Sequence, residues 1–182
     1  MLNVTYFVMM EELLTSMIFF TTETESNDPF TCEGIPNRKR QKFMRETRVI
    51  DLLVDILFYP FADKFYNFED LTQRTPITRI CQLVYRLLKH CVKDYNYNKF
   101  YVAQFIELYF NQAMTANEQN NFKAESTITE LLKNNEVLLD KQITKETIIN
   151  FVELCKGQMK NERFLNLLAT LCSCNGQAVN SN

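Results

Sequence analysis

The chain has 182 residues, 20 of them Lys or Arg and 22 Asp or Glu, which gives a formal net charge of −2. This length suits one domain. A near-neutral chain lacks the basic excess of a bulk nucleic-acid binder, so any anion site must be a local cluster of cations. The single histidine, His90, excludes most histidine-based catalysis and metal chemistry. Hydrophobic residues make up 46% of the chain, enough to build a core.

Breakers of regular structure are sparse, with 3 Gly and 4 Pro. Such a composition favours helices over a sheet protein, which needs many tight turns. Apolar residues recur at helical spacing along most of the chain, without an alternating strand pattern. The sequence therefore predicts an all-α fold of about six or seven helices. A bundle and a helical solenoid both fit, and apparent antiparallel helix pairs in the second half favour the solenoid.

The first half predicts a leading helix over residues 1–20, a polar loop over 21–36 and a second helix from the N-cap Asn37 to about Tyr59. Pro60 is expected to end that second helix. The leading helix has no basic start and carries Glu11 and Glu12, so we predict neither a signal peptide nor a membrane span. Its expected buried stripe comprises Leu2, Tyr6, Met9, Leu13, Met17 and Phe20.

The second half predicts helices separated by polar breaks. Thr75 and Pro76 form a helix start, and a further helix is expected over 98–114. Thr127 with Glu130 has the spacing of a capping box. Thr144 and Asn161 are expected to cap the last two helices.

Six cysteines do not indicate a disulfide framework. Cys81, Cys91, Cys155 and Cys172 lie in apolar helical patterns, where a free thiol behaves as a small hydrophobe facing the core. The Cys172–Cys174 spacing does not match a zinc site. His90 lies near a predicted helix C-terminus, which favours a surface or capping role. Nothing assembles a nucleophile, a base and oxyanion donors, so we predict no enzyme, no metal and no cofactor.

The sharpest motif is NRKRQKFMR, residues 37–45. Arg38, Lys42 and Arg45 follow at i, i+4 and i+7 and share one helix face, spanning about 10 Å along the axis. They lie in the first turns of a helix, whose free N–H groups favour anions. The motif predicts a phosphate site, to which Lys39, Arg40 and Arg48 add positive potential. The alternative is a solvated basic face.

The run NRKRQKFMRETRVIDLLVDILFYPF resembles the start of the domain shared by inositol 1,4,5-trisphosphate receptors and ryanodine receptors. The stretches PITRICQLVYRLLKHCVKDYNYNKFYVAQ, AESTITELLKNNEVLLDKQIT and RFLNLLATLCSCNGQAV are similar in the same register. The resemblance covers about residues 37–180 and looks closer to the inositol trisphosphate receptors. It implies one homology domain over 1–182, with a leading helix (1–20), a loop (21–36) and a core (37–182).

The resemblance implies an armadillo-like α-solenoid, the helical half of a ligand-binding core whose other half is a preceding β-trefoil. Arg38, Lys42 and Arg45 match the first basic trio of the family, which binds phosphate. The second basic element is a Tyr-Arg-Lys run after an Asp, matched here by Asp94, Tyr95, Asn96 and Tyr97. The tyrosine hydroxyl at Tyr95 is therefore expected to donate to the ligand, whereas Asn96 and Tyr97 replace the two cations.

Two lost cationic contacts, at roughly 1.5–3 kcal/mol each, correspond to on the order of 10²–10⁴ in affinity. Lys93, Lys99 and Arg40 are auxiliary candidates that would compensate in part. The resemblance implies a fragment or domain of a ligand-gated calcium-release channel that couples ligand binding to the channel. The full receptor would be a homotetramer of the endoplasmic reticulum membrane, with this segment cytosolic and touching neither membrane nor nucleic acid. The rival is a ryanodine-receptor-like structural or interaction module without the ligand.

Overall fold

A computed structural model describes residues 4–62, 71–114, 121–157 and 162–178. Within these ranges the chain is mostly helical, which confirms the all-α prediction, although it has ten helices where six or seven were predicted. The helices are α1 (Val4–Thr21), α2 (Arg38–Glu46), α3 (Val49–Ala62), α4 (Leu71–Val92), α5 (Asn96–Ala103), α6 (Ile106–Met114), α7 (Ala124–Leu132), α8 (Glu136–Gln142), α9 (Lys145–Gly157) and α10 (Glu162–Cys172).

Two short antiparallel hairpins are absent from the predicted fold: one joins α1 to α2, and the other follows α10. The first hairpin pairs β1 (Thr22–Glu23) with β2 (Ile35–Pro36), and the second pairs β3 (Ser173–Cys174) with β4 (Gln177–Ala178). Gly34 lies where the first hairpin closes, and a Cβ there would sit 2.3 Å from the carbonyl oxygen of Glu23. Such a distance admits only glycine without a backbone shift.

The excess of helices comes from backbone breaks inside predicted long ones. The helix expected from Asn37 to Tyr59 is two helices, because Arg48 takes the left-handed conformation with φ 61°. The amides of Thr47 and Arg48 bond back to the carbonyls of Phe43 and Arg45 and close α2. Pro60 does not end α3, which continues to Ala62. The helix predicted over 98–114 likewise divides into α5 and α6.

The structure confirms some of the predicted helix caps and contradicts others. Thr144 Oγ1 accepts from the amide of Thr147, as predicted. The start at Thr75 is wrong, because α4 begins at Leu71 and Pro76 lies inside it. Thr127 is not a cap either: it lies inside α7 and donates to the carbonyl of Tyr85 on α4. Asn161 lies outside the described residues.

Helix α4 is the centre of the core. It packs against α1, α3 and α7. Among the described residues its Leu87 and Leu88 are fully buried, and each such leucine contributes roughly 1.5–3 kcal/mol through burial. Tyr85 is buried as well, and its hydroxyl donates to Oε1 of Gln112 on α6 at 2.5 Å. This buried hydrogen bond links α4 to α6 within the core.

The leading helix buries a different face from the one predicted. Leu14, Ile18 and Thr21 are buried, whereas Tyr6, Met9, Leu13 and Phe20 of the predicted stripe are 40–60% exposed. Leu2 lies outside the described residues. Both faces of α1 are apolar, so periodicity did not distinguish them, and packing against α4 decided which one is covered.

One described helix, α1, is long and apolar enough to cross a membrane, with a mean hydropathy of 1.3 over 18 residues. A single such helix near an N-terminus is weak grounds for a span, because core helices and signal sequences pass the same test. Here Glu11 pairs with Arg79 of α4 at 2.6 Å, and the helix packs along α4.

Two turns in the chain share one backbone geometry. Asp94 and Asn134 are left-handed, with φ 55° and 53°. Each is followed by an extended N-cap, Tyr95 with φ −133° or Asn135 with φ −128°, and then by a short helix. The two turns are separated by about 40 residues, the length of a HEAT or armadillo repeat.

The cysteine and histidine environments are only partly as predicted. Cys81 and Cys91 are buried free thiols, and burial raises the pKa of each to about 12. Cys172 is exposed and not inward. His90 is fully buried, contrary to the surface role predicted. Its Nδ1 lies 2.9 Å from Thr22 Oγ1, so the histidine helps fasten the first hairpin to α4.

We expect acid to destabilise the protein through His90. Burial lowers the pKa of His90 from 6.5 to about 4, so the unfolded chain takes up a proton more readily than the native one. The stabilisation is complete above about pH 6.5 and is lost as the pH falls towards 4. The free energy of unfolding, from urea titrations, should be about 2 kcal/mol lower at pH 5 than at pH 7.

His90→Asn is the matched variant for this test, because its side-chain amide can replace Nδ1 towards Thr22 without titrating. In this variant the difference between pH 7 and pH 5 should fall below about 0.5 kcal/mol. If the variant keeps the full difference in unfolding free energy between pH 7 and pH 5, the acid sensitivity arises from groups other than His90.

Candidate functional site

Helix α2 presents the predicted basic residues at its start. Asn37 is its N-cap and accepts from the amide of Arg40 at 3.2 Å. Arg38 and Lys42 are exposed, whereas the side chain of Arg45 is only 20% exposed. The two arginines point towards the turn between α4 and α5.

That turn exposes the C-terminal carbonyls of α4, which need donors from outside the helix. Gln41 of α2, fully buried, donates its Nε2 to the carbonyls of His90 and Lys93, both at 2.8 Å. Arg38 Nη2 donates to the carbonyl of Asp94 at 2.7 Å. Side chains of α2 thus cap α4 and fix the two helices against each other.

Asn98 of α5 completes this polar core. It is fully buried, and its Nδ2 donates to the carbonyls of Gln41 at 2.9 Å and Cys91 at 2.8 Å. Its Oδ1 accepts from Arg45 Nη1 at 3.0 Å. Sequence reasoning missed both Gln41 and Asn98, because a polar residue within a polar stretch carries no signal of burial.

Tyr95 lies between the two arginines. Its ring is buried, and its centroid is 4.5 Å from Cζ of Arg38 and 5.7 Å from Cζ of Arg45. Each such cation–π contact contributes roughly 0.5–1 kcal/mol at an accessible site. The structure therefore brings together Arg38, Arg45 and Tyr95, three of the four residues expected to bind phosphate.

A cavity of about 440 Å³ opens at this point. Tyr97 is 75% exposed at its edge, with its ring centroid 5.9 Å from that of Tyr95. The N-cap Tyr95 makes no side-chain capping bond to α5, so the first amides of this helix lack that partner. The lining residues are Arg38, Asp94, Tyr95, Asn96, Tyr97, Lys99, Glu130, Lys133 and Asn134.

Lys99 is buried at the cavity wall, only 4% exposed. Its Nζ donates to the carbonyl of Lys133 at 2.8 Å. Burial lowers the pKa of Lys99, against the opposing charge of Glu130. Burial also raises the pKa of Glu130. The Lys99 ammonium thus ties α5 to the end of α7.

Other predicted cations lie apart from this cavity. Lys42 pairs with Glu46 at 3.4 Å along the exposed face of α2. Arg40 donates to the carbonyl of Phe20 at 3.0 Å and faces α1. Lys93 donates to Glu33 Oε2 at 3.3 Å and to the carbonyl of Gly34, so it binds the first hairpin. No group of three or more described residues is arranged to hold a metal ion.

The family model of the RIH domain matches residues 11–182. The chain therefore belongs to the RIH domain family, as the sequence resemblance implied. One relative is the inositol 1,4,5-trisphosphate receptor itr-1 of Caenorhabditis elegans, 30% identical over an alignment of 188 positions that takes in 92% of this chain. Another is the inositol 1,4,5-trisphosphate receptor-like protein A of Dictyostelium discoideum, 25% identical over 173 positions and 93% of this chain.

Within the family, these relatives make the chain a domain of the inositol trisphosphate receptor type. The chain spans only 6% and 5% of the length of the two relatives. One is named as a receptor and the other as a receptor-like protein, and neither name nor family describes an enzyme.

Proposed function

We propose that this chain is the helical, phosphate-binding half of the ligand cleft in an inositol 1,4,5-trisphosphate-gated calcium-release channel. Arg38, Lys42 and Arg45 would bind phosphate, and the Tyr95 hydroxyl would donate to it. The observation that carries the proposal is that Arg38 and Tyr95 line one cavity, while both Arg38 and Arg45 lie against the Tyr95 ring.

The local structure supports a phosphate at this place. Gln41 and Asn98 hold α2 against the α4–α5 turn, so the guanidinium groups are positioned before a ligand arrives, and preorganisation lowers the entropic cost of binding. The start of α5 adds backbone amides and the positive end of its dipole. Guanidinium groups are also suited to bidentate contacts with phosphate.

The relatives support the rest of the proposed receptor assignment. The matching turns at Asp94 and Asn134 support an armadillo-like solenoid. We infer that the chain acts beside a β-trefoil and other receptor domains, in a homotetramer of the endoplasmic reticulum membrane. This domain would lie on the cytosolic side and couple ligand binding to the calcium channel.

Arg38→Gln combined with Lys42→Gln should reduce the affinity for inositol 1,4,5-trisphosphate by about 10²-fold or more. Each lost charge-assisted contact costs roughly 1.5–3 kcal/mol. Calorimetric titration at low salt measures the effect, because raised salt screens exposed cations.

Lys141→Gln with Lys145→Gln is the matched control, since it removes two exposed positive charges away from the cavity. An equal loss of affinity in the control would show that the ligand is attracted by the overall positive charge and not by a specific phosphate site. Absence of binding by the folded unmodified chain would count against the phosphate role altogether.

A second candidate function is a helical interaction module without a small ligand, as in a ryanodine-receptor-like channel. Two observations favour it. The two cavity positions at which the family has cations are occupied here by the uncharged residues Asn96 and Tyr97. In addition, Arg38 already donates to the carbonyl of Asp94, and Arg45 to the side chain of Asn98. Stable association with another receptor domain, together with no affinity for inositol phosphates, would select this candidate.

A further inference from the structure

A second, smaller cavity lies beside α4 and shares no lining residue with the cavity beside Tyr95. Its volume is about 200 Å³. Among the described residues, four cations from three helical regions line it, and no carboxylate does. These cations are Arg86 and Lys89 of α4, Lys123 before α7, and Arg163 at the start of α10.

Some of this positive charge is neutralised from outside the cavity. Oε1 of Glu33 lies 3.0 Å from Nη2 of Arg86 and 2.7 Å from Nζ of Lys89. The buried Glu125 lies 3.4 Å from Arg163. Glu33 is 53% exposed in its side chain, so water competes for its cations. Asp28 also acts on Arg86 and Lys123 through its charge. None of these three carboxylates lines the cavity, so the lining contributed by the described residues is positively charged.

Lys123 is the cation with least compensation. Its ammonium pairs with no carboxylate of the described residues and lies 6.0 Å from the centroid of the Phe30 ring. Burial lowers the pKa of Lys123, and the charges of Arg163 and Arg86 act in the same direction, against the opposing charges of Glu125 and Asp28. An anion in the cavity would relieve this repulsion.

Arg86 carries an unused donor. Its side chain is only 12% exposed, and its Nε is buried without a hydrogen-bond partner. A buried donor without a partner costs roughly 1–3 kcal/mol. The same cavity adjoins the start of α7, where Lys123 is the N-cap and makes no side-chain capping bond. The hydroxyl of Ser126 adds a further donor to the lining.

We propose that this cavity is a second anion site, which binds one phosphate group. A dianion with several acceptor oxygens matches converging cations and unpartnered donors better than a monoanion does. The phosphate would come either as inorganic phosphate or as part of a small phosphomonoester. The site is independent of the proposed inositol trisphosphate cleft.

Titration of the ¹⁵N-labelled chain by NMR tests the site. The probes are inorganic phosphate, O-phosphoserine and acetate, each at the same ionic strength set with sodium chloride. We expect saturable shifts of the Lys123 and Ser126 amides with phosphate, with at least tenfold weaker binding of acetate. Saturation by O-phosphoserine as well identifies a phosphomonoester site, whereas saturation by inorganic phosphate alone identifies a site for the free ion.

Lys123→Asn with Arg163→Gln should weaken phosphate binding at least tenfold, and asparagine tolerates the left-handed φ of 62° at position 123. The same spectra report whether the variant is folded. Arg48→Asn with Lys145→Gln is the matched control, because Arg48 is likewise a cation in the left-handed conformation and lies outside the cavity. Shifts that grow linearly with phosphate, or that equal those from acetate, would overturn the proposal. So would unchanged binding by the folded variant.

Discussion

Asn96→Arg combined with Tyr97→Lys is expected to raise the affinity of the chain for inositol 1,4,5-trisphosphate by roughly 10²–10⁴-fold. The change restores the Tyr-Arg-Lys pattern of the family after Asp94. Both positions line the cavity beside Arg38 and Tyr95. Tyr97 is 75% exposed, so its replacement disturbs no core packing.

The two added cations should act mainly through the ligand. They lie in the first turn of α5, where positive charge opposes the helix dipole at about 0.3–1 kcal/mol each. We therefore expect a slightly lower thermal stability of the free protein. Bound phosphate would remove that repulsion, so ligand should stabilise the variant more than it stabilises the unmodified chain.

Calorimetry at two salt concentrations measures this gain. Asn150→Arg with Asn166→Lys adds the same charge at exposed positions of α9 and α10 and corrects for general electrostatic attraction. An affinity within threefold of that of this control would show that positions 96 and 97 do not face the ligand.

Asn98→Leu should lower the free energy of unfolding by about 3–4 kcal/mol. Leucine has a similar size but neither donates nor accepts, so the carbonyl of Cys91 and the guanidinium of Arg45 lose a partner. Each buried polar group left without a partner costs roughly 1–3 kcal/mol. Urea unfolding followed by circular dichroism gives the value.

The matched control is Asn150→Leu, an exposed position of α9, where the change should stay within about 0.5 kcal/mol. Equal losses of unfolding free energy in the two variants would mean that the hydrogen bonds of the buried Asn98 amide do not stabilise the protein. Binding of the trisphosphate provides a second readout. Asn98→Leu removes the contact that positions the Arg45 guanidinium, so the variant should bind the trisphosphate more weakly.

Helical spacing and the basic motif carried most of what the sequence could predict. Arg38 and Arg45 do come together, because i and i+7 lie on one face of any α-helix. Lys42, on that same face, instead pairs with its helical neighbour Glu46. A helix face establishes neighbours along one helix but does not say which side chains reach the next helix.

Helix boundaries were the weakest part, and the reason is local. Arg48 takes a left-handed conformation that is more typical of glycine or asparagine, so the residue type at position 48 did not indicate the break between α2 and α3. His90 shows a related failure. Its polar ring is buried because Thr22, 68 positions away along the chain, supplies a partner, and such a partner is invisible to local periodicity.

The close approach at Gly34 has a consequence for how this protein tolerates variation. Surface loops usually accept substitution and insertion, and the loop between β1 and β2 offers many exposed positions. At Gly34 any side chain would meet the carbonyl of Glu23. A library of random substitutions should therefore show free exchange at Glu25 and Asn27 but nearly complete loss of folded protein at position 34.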